Sequence, residues 1–157
     1  MRLRRRNKAD RDRDLLKVRR QIDDLSADPR LQQMAQFLQH GNITTLEHVQ
    51  RVALLSVRIN RRTGLRADEE MLIRGALLHD YYLYDWHHHK GRLHGFTHPG
   101  TAAHFASRDF TLTDKERNII TSHMWPLTFR HIPRSREAVI VCCADKLSSL
   151  YETLLCR

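Results

Sequence analysis

The sequence predicts an all-α fold, a bundle of about six or seven helices around one core. Three observations predict it. Apolar residues recur at helical spacing in one segment after another. Capping and breaking residues bound those segments. No run of alternating β-branched residues is long enough to make a strand. At 157 residues the chain suits one hydrophobic core.

A charged helix is expected over Asp10 to Leu25, broken at Asp28-Pro29. Pro29 suits the first position of a second helix, which is expected to run to His40, with Gly41 as a left-handed cap. Thr44 or Thr45 caps a long helix to Arg62. Its Val49, Val52, Ala53, Leu55, Ser56 and Ile59 form one stripe, and Gly64 closes it. Ala67-Asp68 opens a helix that ends on His79-Asp80. Residues 81–97, rich in aromatic residues and histidine, read as a loop of the length that often carries function. Pro99 sits just inside the start of a helix to Asp109. Thr113 and Glu116 form a capping box for a helix to His123, which stops near Pro126. Ser135 starts the last helix. This reading divides the chain into a basic helical arm, 1–42, packed on a domain at 43–157.

The net charge of +9 is uneven. Residues 1–20 hold ten Lys or Arg and three Asp, a net of +7, which leaves +2 for the rest. Such an arm can attract nucleic acid. No aromatic residue interleaves its arginines to stack on bases, so a solvated first helix is the favoured reading. That helix could also pack on a second copy in a homodimer. No apolar stretch approaches the roughly 20 residues of a membrane span. The Arg-rich start lacks an apolar segment behind it, so no secretory signal is expected. Cys142, Cys143 and Cys156 are odd in number and lack metal-type spacing, which fits reduced thiols in a cytoplasmic protein.

His79-Asp80 closes an apolar run, where a buried carboxylate wants a cation or hydrogen bonds. His48 lies on the buried stripe of its helix, at +4, +7 and +11 from Val52, Leu55 and Ile59. His98 precedes Pro99. His123 follows Ile119 by one turn, and Asp145 lies near the apolar side of the last helix. Each buried polar side chain needs a partner, and one shared metal satisfies them together. Imidazole with carboxylate suits Mn, Fe, Ni or Zn better than Mg.

In order along the chain, His48, His79-Asp80 and Asp145 resemble the HD-domain superfamily of metal-dependent phosphohydrolases. His98 and His123 resemble the extra ligands of its binuclear branch. The likeness covers residues 43–155. The chain is also similar to small bacterial HD proteins with a Tyr-Asp-Trp-His loop and a His-Met-Trp-Pro-Leu segment. Met124 follows His123, so the Gly-Tyr-Pro motif of the HD-GYP phosphodiesterases is missing.

The resemblance implies a first metal held by His48, His79, Asp80 and Asp145, with Asp80 bridging to a second held by His98 and His123. One or two divalent ions would activate water to hydrolyse a small phosphate ester, such as a nucleotide. Beside the ligands, Arg51 and Lys146 could neutralise phosphate charge. Lys146 or His94 could assist the leaving group, and His94 could contact substrate. Two other functions fit the same residues. One is a non-catalytic metal- or nucleotide-binding regulatory module. The other is a di-iron oxygenase, since some relatives of this fold cleave bonds oxidatively.

Overall fold

Threonine caps set the two helices that begin most sharply. A computed structural model describes residues 8–81 and 94–155. Its α-helices are α1 (Lys8–Ser26), α2 (Pro29–Gln32), α3 (Thr45–Thr63), α4 (Glu69–Leu78), α5 (His94–Asp109), α6 (Asp114–Ser122) and α7 (Arg136–Leu155). At the start of α3, Thr44 Oγ1 accepts from the Glu47 N–H at 3.2 Å. The Glu47 carboxylate in turn accepts from the Thr44 N–H at 2.8 Å. Thr113 and Glu116 repeat the exchange at 3.2 and 2.7 Å for α6. Such reciprocal caps satisfy two backbone donors that a helix start otherwise leaves open. Gly64, at φ +68°, closes α3 in the left-handed region. The Asp68 side chain caps α4 by accepting from the Met71 N–H at 3.1 Å.

The core forms where α3 packs on α4 and α7, and α6 packs on α4, α5 and α7. Val49, Val52 and Val57 of α3 meet Leu72, Ile73 and Leu77 of α4, with Ile119, Ile120 and Val141 beyond them, all buried. Val18 and Ile22 of α1 are buried in the same core. Gly75 sets the approach of α4 to α6. A Cβ there would lie 2.5 Å from Ile119 Cδ1 and 3.1 Å from its Cγ2. Gly75 stands one turn before His79 and Ile119 one turn before His123. The contact therefore fixes how far apart those two imidazoles stand.

The structure corrects two expectations. The second helix does not reach His40. It lasts one turn and passes into a 3-10 turn (Gln33–Gln36) and a small hairpin of β1 (Leu38–His40) and β2 (Ile43–Thr44). The strands pair antiparallel, Leu38 opposite Thr44 and His40 opposite Ile43. Gly41, at φ +57°, turns the chain between them instead of capping a helix. Helix propensity is a weak prior here, and the buried contacts of Gln39 override it.

The second correction concerns α5, which begins at His94, so Pro99 lies inside it and His94 is not in a loop. Proline forgoes only the hydrogen bond to the carbonyl four residues earlier, that of Gly95, inside the first two turns. Residues 82–93 of the expected loop lie outside the described residues. Tyr81, read as the first loop residue, is fully buried. It stacks edge-on against Phe110 and donates to Asp109 Oδ2 at 2.8 Å.

Candidate metal centre

Five helices bring six side chains to one place. His48 comes from the second turn of α3 and His98 from α5. Asp145 lies midway along α7. His79 and His123 are the C-cap residues of α4 and α6. Asp80 follows His79 directly. All six are buried. Two helix C-termini here aim the negative ends of their dipoles towards the cluster, an arrangement that favours a cation.

Asp80 divides its two oxygens. Oδ2 lies 3.5 Å from His79 Nε2 and 3.7 Å from His48 Nε2. Oδ1 lies 2.6 Å from His98 Nε2 and 3.3 Å from His123 Nε2. Asp145 Oδ1 stands 3.2 Å from His48 Nε2 and 3.6 Å from His79 Nε2. Two ligand groups result, His48–His79–Asp145 and His79–Asp80–His123, with the donor atoms of each within 4.8 Å of one another.

The imidazoles are set as ligands by their outer nitrogens. His79 Nδ1 donates to the Ala76 carbonyl at 2.7 Å, and His123 Nδ1 donates to the Ile120 carbonyl at 2.7 Å. A nitrogen that meets a carbonyl must carry the proton, so in the neutral ring Nε2 keeps its lone pair. Those two Nε2 atoms are buried without a hydrogen-bond partner. An orphaned lone pair facing carboxylates is costly unless a cation fills the space. The residues fit a divalent metal.

A protein-family model, the HD domain, matches residues 45–150. The chain belongs to the HD-domain family. HD domains bind divalent metals, and the family generally contains metal-dependent phosphohydrolases. No match was found among curated proteins or among solved structures. Among the described residues no helix is long and apolar enough to cross a membrane.

Two residues just outside the matched span, both missed by sequence reasoning, support its ligands. Glu152 is fully buried and accepts from His48 Nδ1 at 2.8 Å. It lies seven residues after Asp145, two turns along α7, and that spacing was a usable signal. Gln39 Nε2 donates to Asp80 Oδ2 at 2.7 Å. It had no such signal, because it reaches the centre only through the unexpected hairpin.

Three proposed substrate contacts fare differently. Arg51 Nη1 pairs with Glu152 Oε1 at 2.7 Å, and its guanidinium lies 5.3 Å from the Tyr151 ring centre. Lys146 Nζ donates to the His123 carbonyl at 2.8 Å and to the Cys142 carbonyl at 3.4 Å. Both cations are engaged by the protein, which explains their place beside the ligands without a phosphate. Position 94 starts α5 one turn before His98, while the His94 side chain lies outside what the structure describes.

Charge in the centre is finely divided. Burial opposes a charged His48, but its bonds to Asp145 and Glu152 prevail and push its pKa up to about 10. Burial opposes a charged His79 too, but the Asp80 and Asp145 carboxylates push it upward. Burial would also raise Asp80 and Asp145, yet the surrounding imidazoles hold both well below the carboxylate range. Burial drives His123 the other way, down to about 3.

A metal therefore competes with protons on His48 and His79 but not with one on His123. The sign follows from the ligand form. At pH 7 a His48 whose pKa is about 10 is protonated, and binding must expel that proton. Apparent metal affinity should rise with pH, about tenfold per unit for each proton expelled. Calorimetric titrations at pH 7 in buffers of different ionisation enthalpy should report about one to two protons released per chain. A heat independent of buffer would contradict this account.

Proposed function

We propose that this HD domain is a binuclear metal-dependent phosphohydrolase or phosphodiesterase acting on a nucleotide or another small phosphate ester. The observation that carries the reading is the split carboxylate of Asp80, with one oxygen beside His48 and His79 and the other beside His98 and His123. A single carboxylate placed in this way can serve two ions at once. His48, His79 and Asp145 would complete one site, and His98 and His123 the other. Metals bound in such a pair supply Lewis acidity and a water acidified towards neutral pH. No serine or cysteine nucleophile is then required.

The protein's part is to hold the ligands in place and keep them in the right protonation state. The Ala76 and Ile120 carbonyls fix the tautomers of His79 and His123. Gln39 holds the plane of the Asp80 carboxylate, and Lys146 ties the His123 backbone to α7. His94, which starts α5 one turn before His98, would protonate the leaving group.

The test is elemental analysis of untagged, chelator-free protein, followed by a panel of phosphomonoesters, phosphodiesters and nucleotides with Mn added. About two metal equivalents per chain and phosphate release that is the same with and without oxygen would support the reading. Turnover that demands oxygen would replace it with oxidative chemistry at the same ligands. Metal binding without turnover across the panel would favour a regulatory module.

A further inference from the structure

We propose that Glu152 is a positioning residue for the metal centre, held in place by Arg51 and acting through His48. The inference rests on reading the cluster as a metal site. It adds an element of that site for which neither ligand spacing nor the family match supplies a role.

Geometry carries the proposal. Glu152 is fully buried, and each of its oxygens has its own partner. Oε2 accepts a hydrogen bond from His48 Nδ1–H at 2.8 Å. Oε1 takes the Arg51 guanidinium at 2.7 Å. Arg51 reaches in from α3 with its side chain one-third exposed and Tyr151 beside it. The guanidinium thus occupies one oxygen and leaves the other to the imidazole. A carboxylate on Nδ1 fixes that proton, sets the rotation of the ring and makes Nε2 a better donor. His48 Nε2 is the atom that faces Asp145 and Asp80. His79 and His123 are oriented by carbonyls of their own helices. His48 sits near the start of α3 and takes its orienting group from α7.

The bland alternative is a buried ion pair that only fastens α3 to α7. It predicts lower stability with unchanged metal affinity, because neither Arg51 nor Glu152 is among the side chains that would hold the metal. Their effect on metal must pass through His48 if the proposal is right.

The test uses the full chain and cobalt(II) as the probe, with a chromogenic chelator as competitor. Glu152→Ala should weaken cobalt binding about 10- to 100-fold, the usual effect of removing an outer partner of a ligand. Glu152→Gln keeps an acceptor of the same shape and should recover most of the loss, with a folded chain by circular dichroism. In a His48→Ala background, Glu152→Ala should weaken cobalt binding no further, because its route to the metal is gone. The visible cobalt bands should shift in Glu152→Ala and return in Glu152→Gln.

Cobalt affinity within twofold of the parent in both folded Glu152 variants would overturn the proposal and leave the hydrolase reading intact. Equal losses from Glu152→Ala with and without His48 would overturn it too. A parent chain that takes up no cobalt would overturn both.

Discussion

Replacing Asp80 with alanine should abolish the proposed phosphohydrolase activity and most metal uptake. The expectation follows from its position between four imidazoles, with both oxygens in use. Losing an outer partner of a ligand costs roughly 10- to 100-fold in affinity or activity, and losing a shared ligand should cost more. Metal content should fall from about two equivalents to less than one, since neither ion keeps its full set. Helicity should persist, because α3, α4, α6 and α7 meet through Val52, Leu72, Ile120 and Val141 and not through the carboxylate. Elemental analysis beside far-ultraviolet circular dichroism checks this. Two equivalents retained in a folded Asp80→Ala chain would remove the bridging role.

The second large effect is expected at His123, and it should be selective. His123→Ala removes one ligand beside Asp80 Oδ1 and leaves His48, His79 and Asp145 untouched. Metal content should drop from about two equivalents to about one, with turnover lost. His98→Ala should do the same, as the other imidazole on that oxygen. His123 is the cleaner probe of the two. Burial keeps its ring neutral down to about pH 3, so protons compete for it at no working pH. An unchanged stoichiometry would make the ring a packing residue and the centre mononuclear.

Much of this centre could be read from helical spacing. His48 is found on the stripe with Val52, and His123 one turn past Ile119, because an α-helix repeats its faces every three or four residues. The capping box at Thr113 and a threonine cap at Thr44 or Thr45 were legible because their chemistry is local, and the structure selects Thr44 and adds its exchange with Glu47. Gln39 was not. Gly41-Asn42 is a hairpin signal, but the apolar residues from Leu31 to Leu38 also suit a helix. What decides between them is a contact with Asp80, 41 residues away. Arg51 and Lys146 neighbour His48 and Asp145 along the chain, and their partners in the structure are the Glu152 carboxylate and the His123 carbonyl. A sequence shows that a cation is near a site, while its partner depends on how α3, α6 and α7 cross.

The hairpin also bears on how such a domain can be exchanged between relatives. The family match starts at residue 45, yet Gln39 reaches Asp80 from before that point, and Val18, Ile22, Leu31 and Met34 lie in the common core. The matched span and the packed core therefore have different boundaries. A chimera joined at residue 45 would carry every ligand but lose the amide that steadies the central carboxylate. A crossover placed between α1 and α2 would keep Gln39, Leu31 and Met34, and would have to match only the buried face of one helix.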